Sequence, residues 1–192
     1  MDIKSLIKLV DAVEALKLLP RTGWLLRGIH PSIAETVSSH TYEVAVLGLL
    51  LSRELSGLGR EVDVGKVLTM ALIHDLAEAF IGDLPYELTR RLGSVKEVIE
   101  LEVLKELIKD NELISIINEY VSKGSTEAKL VKLCDYLSTY IQAINYLNHG
   151  FTDVQDIRDR VEGVIKELLL DSDLRPLSEL VNELIKELRE KN

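Results

Sequence analysis

The residues best placed to do chemistry are polar ones that interrupt apolar helical faces. His74 and Asp75 are the strongest case: Val67, Leu68, Met70, Ala71, Leu72 and Ile73 precede them, and Leu76 and Ala77 follow. A carboxylate buried without a partner costs on the order of several kcal/mol after relaxation. A divalent cation is the natural partner. His40 repeats the pattern on a face with Val44, Leu47 and Leu51, and Asp135 repeats it among Leu130, Val131, Leu133, Cys134 and Leu137. Two imidazoles and two carboxylates suit one divalent ion, Mn, Co, Mg, Zn, Fe or Ni. Such a set leaves room for water and substrate only with five or six coordination positions, whereas a closed tetrahedral set is structural. Neighbouring residues of a straight helix point about 100° apart. His74 and Asp75 can therefore share an ion only if it lies between their two directions. Glu78 stands four residues after His74 and three after Asp75, beside both on a helix, and Asp83 comes just past the helix end. Both carboxylates suit proton transfer or the holding of a water.

The elements that must position these residues read as helices almost throughout. A first segment runs from about Asp2 to Leu18, with Leu6, Leu9, Val10, Val13 and Leu16 as its stripe, and a loop follows from Pro20 to Trp24. Ser38 or Ser39 caps a second helix to about Leu55, and Asp63 caps a third, VGKVLTMALIHDLAEAF, that runs unbroken to Gly82. Asp83-Leu84-Pro85 is a turn. Ser94 and Glu97 form a capping box for a helix to about Lys109, and Asn111 caps a shorter one to about Val121. Later helices run from about Glu127 to Leu147, from Asp153 to about Leu170, and after Pro176. No stretch shows convincing strand alternation. The expectation is one all-α domain, a multi-helix bundle over residues 1–192, with its motif-bearing core at about 17–148 and C-terminal helices at about 153–190.

Composition narrows the functions. Among 192 residues, 46% are hydrophobic and 29% charged, an ordinary globular balance. The net charge of -9 argues against a protein that binds duplex nucleic acid, which needs clustered Lys and Arg. It leaves a small phosphate substrate open, because an Arg or a metal reverses the field inside a cleft. The lone Cys134 excludes an internal disulfide and cysteine-rich metal sites, and it reads as a small buried hydrophobe. No segment looks like a signal peptide or a membrane span, so a cytoplasmic protein with no membrane partner is expected. Trp24 reads as a packing residue, His30 as a loop residue and His149 as a helix-end residue.

The order His40, then His74-Asp75, then Asp135 resembles the H…HD…D motif of the HD-domain superfamily of metal-dependent phosphohydrolases. PRTGWLLRGI, SSHTYEVA and HDLAEAFIGDLP further resemble the 5′-deoxynucleotidase subgroup, the YfbR-like and HDDC-like proteins. The resemblance covers about Lys17 to Asn148. It implies that His40, His74, Asp75 and Asp135 ligate the metal and that Glu78 is the catalytic acid/base. It also implies that Asp83 is a carboxylate at the substrate and catalytic side, that Arg21 faces the substrate phosphate, and that the chain forms a homodimer. The reaction expected is hydrolysis of a (deoxy)nucleoside 5′-monophosphate to nucleoside and phosphate. The residues alone leave other roles open: a salt bridge for Glu78, turn ordering for Asp83, a surface position for Arg21. The other functional readings are a phosphodiesterase, a guanosine-tetraphosphate hydrolase, or a non-catalytic helical protein with a structural metal.

Overall fold

The computed structural model describes residues 2–190. In chain order the helices are α1 (Ile3–Leu18), α2 (Thr22–Leu25), α3 (Val37–Gly57), α4 (Val64–Ile73), α5 (Glu78–Ile81), α6 (Tyr86–Leu92), α7 (Ser94–Leu107), α8 (Asn111–Ser122), α9 (Thr126–Asn148), α10 (Gln155–Leu168) and α11 (Ser178–Glu190). Short 3-10 turns, Thr152–Val154 and Arg175–Leu177, lead into the last two helices. Among the described residues the only β pairing is an isolated bridge between Pro20 and Thr36. The chain is therefore all-α, as its periodicity requires. No helix among these residues is long and apolar enough to cross a membrane.

The long helix α9 is the axis of the molecule. It packs against α3, α4 and α10, and its Leu130, Leu133, Leu137 and Tyr140 are fully buried. Ser125 caps its start by accepting from Ala128 N–H at 3.2 Å. α3 and α4 lie against each other, and Gly48 permits their close approach, since a Cβ there would stand 3.0 Å from Val67 Cγ1. A second apolar cluster joins α1, the residue before α5, α7 and α8 through Leu16, Ala77, Leu104 and Ile117. The elements that carry His40, His74 and Asp135 are thus α3, the end of α4, and α9, three members of one packed core.

Several local expectations change. The helix read as continuous to Gly82 breaks at His74. α4 ends at Ile73, Leu76 and Glu78 turn back to Ile73 and Asp75 with i→i−3 bonds of 3.1 and 3.0 Å, and α5 starts afresh at Glu78. No Pro or Gly causes this break. It removes the angular conflict of adjacent helical residues, because the tight turn aims His74 and Asp75 toward one point. Helix α3 starts from Thr36, which accepts from Ser39 N–H, and not from Ser38 or Ser39. The Ser94–Glu97 box does not form, because Ser94 is already inside α7 and Gly93 precedes it. Asp110, not Asn111, caps α8. The expected loop at 20–24 contains α2, and the expected turn at Asp83 leads into α6. In α1 the inward positions are Ser5, Leu9, Ala12 and Leu16, while Leu6, Val10 and Val13 are exposed. The helix has two apolar faces, and the predicted stripe mixed them.

Gly82 ends α5 with φ 78° and ψ 158°, a region essentially closed to residues with a Cβ. Gly82→Ala should lower stability by about 1–3 kcal/mol through backbone strain, since nothing lies within 4 Å of the added methyl. Chemical denaturation would measure this, and an unchanged midpoint would contradict it.

Candidate metal centre and active-site cavity

His40, His74 and Asp135 each present a ligand atom, and the three atoms lie within 4.8 Å of one another. Asp75 reaches the same point from the α4–α5 turn: its Oδ2 is 3.1 Å from His74 Nε2 and 3.8 Å from His40 Nε2. Asp135 Oδ1 is 3.1 Å from His40 Nε2. Both imidazoles are buried, whereas the two carboxylates keep a partial opening to solvent.

The donor set fits a divalent cation on two observations. His74 Nδ1 lies 2.7 Å from the carbonyl of Ala71, which can only accept, so Nδ1 carries a proton. Nε2 is then the lone-pair nitrogen, buried 3.1 Å from Asp75 Oδ2 and without a directed hydrogen bond. A lone pair beside a carboxylate oxygen is repulsive without positive charge near them. The electrostatics of the cluster point the same way. Burial alone would lower the His74 pKa, but Asp75 and Asp135 outweigh it and raise it. Burial would raise the carboxylates, yet His74 and His40 hold Asp75 below its usual range, and Lys132 with His40 holds Asp135 well below it. Without an ion, the His74 imidazole is drawn into the cation's place.

The two carboxylates open onto a cavity of about 190 Å³ that is also lined by Arg21, Glu78, Asp83, Lys96 and Lys132. Glu78 is buried at the start of α5, and the Lys96 ammonium is 3.8 Å from its Oε1. Burial, with the negative charges of Asp75 and Asp83, pushes its pKa well up, against the pull of Lys96 and Arg21. Glu78 is therefore a carboxyl able to keep a proton that an exposed glutamate would lose.

Arg21 is not a free surface residue. Its Nη1 donates to Glu35 Oε2 and to Thr139 Oγ1, both at 3.2 Å. Glu35 in turn accepts from Trp24 Nε1 at 2.8 Å, and Trp24 is buried edge-on to Tyr146 with ring centroids 5.2 Å apart. Trp24 is thus a packing residue that also braces Glu35. Asp83 accepts from the Thr22 N–H, and the Thr22 hydroxyl donates to its backbone carbonyl at 2.7 Å. It latches the loop that carries Arg21, and burial raises its pKa over the opposing effect of Arg21. His30 and His149 are exposed and are not members of the cluster. The sequence reading missed Glu35, Lys96 and Lys132. Lys132 donates to Asp135 Oδ2 at 2.7 Å from one turn earlier on α9, a helical spacing that was open to inspection. Glu35 and Lys96 carry no such local signal.

With these helices and this cluster, the chain belongs to the HD-domain family, whose HD domain model matches residues 13–169. Among curated proteins it is similar to the 5′-deoxynucleotidase HDDC2 of Xenopus laevis, 33% identical over 74% of this chain and 70% of that one. It is also similar to the 5′-deoxynucleotidase HDDC2 of Homo sapiens, 30% identical over 83% of this chain and 78% of that one. Among solved structures it is similar to the PH0347 protein of Pyrococcus horikoshii OT3, with a TM-score of 0.82 and 32% identity over 95% of this chain and 99% of the other.

Proposed function

We propose that the chain is a metal-dependent phosphomonoesterase that hydrolyses nucleoside 5′-monophosphates, the deoxy form by preference, to nucleoside and phosphate. The observation that carries this reading is the convergence of Asp75 and Asp135 with Arg21 and Glu78 on one cavity. The relatives named 5′-deoxynucleotidase support the substrate class.

His40, His74, Asp75 and Asp135 would hold one divalent ion. Such an ion supplies Lewis acidity, lowering the pKa of water and withdrawing charge from a phosphoryl oxygen. Arg21 offers its guanidinium to the phosphate, and Glu35 and Thr139 fix its plane so that little side-chain entropy is lost on binding. Glu78 delivers a proton to the leaving 5′-oxygen, which is a poor leaving group as an alkoxide. Its raised pKa keeps that proton available. Lys132 holds one oxygen of Asp135 and leaves the other toward the histidines. Asp83 keeps the Arg21 loop in place through Thr22. The same reading takes residues 1–192 as one domain and the working form as a cytoplasmic homodimer with one ion per chain.

A phosphate-release screen tests the substrate. Chelated protein receives Mn, Co, Mg, Zn, Fe or Ni with ribo- and deoxyribonucleoside 5′-monophosphates. Release from deoxynucleoside 5′-monophosphates in the presence of metal is expected. No release from any monophosphate with any ion would overturn the proposal.

A further inference from the structure

The far nitrogen of His40 faces a buried polar seam between α3 and α9. Ser138 Oγ lies 3.0 Å from His40 Nδ1, and the same hydroxyl donates to Glu43 Oε2 at 2.7 Å. His40 and Ser138 are both fully buried. Each helix thus presents one candidate ligand and, three residues on, one of these two polar groups: His40 and Glu43 on α3, Asp135 and Ser138 on α9.

With a cation at His40 Nε2 and Glu43 ionised, the protons fall in one arrangement. An ionised Glu43 only accepts, so the Ser138 proton is committed to it. The short contact from Ser138 Oγ to His40 is then filled by a proton on Nδ1. Arg21 Nη1 also lies 3.2 Å from Nδ1, but its two protons have other acceptors in Glu35 and Thr139. Thr139 has its lone pairs free for this, since its own hydroxyl donates to the Asp135 carbonyl at 3.0 Å. With Nδ1 protonated, Nε2 is the lone-pair nitrogen, and it is the one that faces Asp135 and Asp75.

We propose that Ser138 and Glu43 are positioning residues that lock His40 in the Nδ1–H tautomer and aim its Nε2 at the metal. The inference rests on the metal-centre reading above. Outer partners of this kind set the orientation and basicity of a ligating imidazole, and losing one typically costs about 10–100-fold in metal affinity. Glu43 makes no hydrogen bond to a candidate ligand, so its hydrogen-bonded route to His40 runs through Ser138.

The test is the dissociation constant for Zn or Mn, measured by competition with a chelating dye on the full chain. Ser138→Ala should weaken binding by about 10–100-fold. Glu43→Gln should weaken it in the same direction, and the double variant should be no worse than Ser138→Ala alone. Nitrogen-15 spectra of the zinc-loaded wild type should show His40 protonated at Nδ1. Wild-type affinity within twofold in Ser138→Ala, or effects that multiply in the double variant, would overturn the relay while leaving the metal centre intact. A wild type that binds no ion overturns the metal centre and the relay together. If melting of the metal-free protein shows that Ser138→Ala does not fold, Glu43→Gln carries the test: unchanged affinity and an unchanged His40 spectrum would overturn the relay.

Discussion

Glu78→Gln should lower kcat on a deoxynucleoside 5′-monophosphate by about 10²–10⁴-fold, the usual worth of a positioned proton donor, and leave the metal dissociation constant unchanged. Gln keeps the size and the polar tip of Glu but cannot supply the proton. The same change should not destabilise the fold. Burial and the charges of Asp75 and Asp83 raise the Glu78 pKa, so in the metal-free protein the folded state holds its proton more tightly than the unfolded chain. By linkage, a raised carboxyl pKa makes stability fall as pH climbs above the unfolded value near 4.5. Gln has no such dependence. The melting temperature of Glu78→Gln minus that of the wild type should therefore grow from pH 4.5 upward. Full turnover in the variant, with metal bound, would remove Glu78 from the chemistry. A difference that shrinks with rising pH would contradict its electrostatic account.

The second large effect belongs to His74. His74→Gln should weaken binding of the divalent ion by about 100-fold or more, since even outer partners of a ligand cost about 10–100-fold. Turnover should fall with occupancy and return only in part at high metal concentration. The imidazole packs edge-on to His40 and Tyr120, with ring centroids 5.6 and 6.1 Å away, and Gln fills part of that space. The metal-free variant should therefore fold. His30→Gln and His149→Gln alter exposed imidazoles outside the cluster and should bind the ion as the wild type does. Equal affinity in His74→Gln would mean that His74 is a core histidine and no ligand.

The residues of this site differ in how plainly the sequence displays them. His40, His74 and Asp135 stand out because helical spacing puts them on faces that are otherwise apolar, and the structure buries those faces. The break at His74 leaves no trace in composition. Leu76 and Ala77 favour helix, so the turn reflects the packing of α4 against α9 and α5 against α1, which local propensity cannot see. The missed helix α6 was legible: Pro85 precedes it, Glu87 lies in its first turn, Arg90 and Arg91 in its last, and Gly93 closes it. Glu35 was not. It meets Arg21 and Trp24 across 14 and 11 residues, through a loop whose path depends on the Pro20–Thr36 bridge. Ser138 and Glu43 are 95 residues apart and meet only because α3 lies along α9. Chemistry that one helix arranges is readable from spacing, whereas chemistry shared between helices needs the fold.

Turnover by this site is tied to one bound ion. Phosphate release from a deoxynucleoside 5′-monophosphate, followed as Mn or Co is titrated into chelated protein, should rise from zero and saturate at one equivalent per chain. Full activity in the chelated protein, or activity that ignores the added ion, would contradict it.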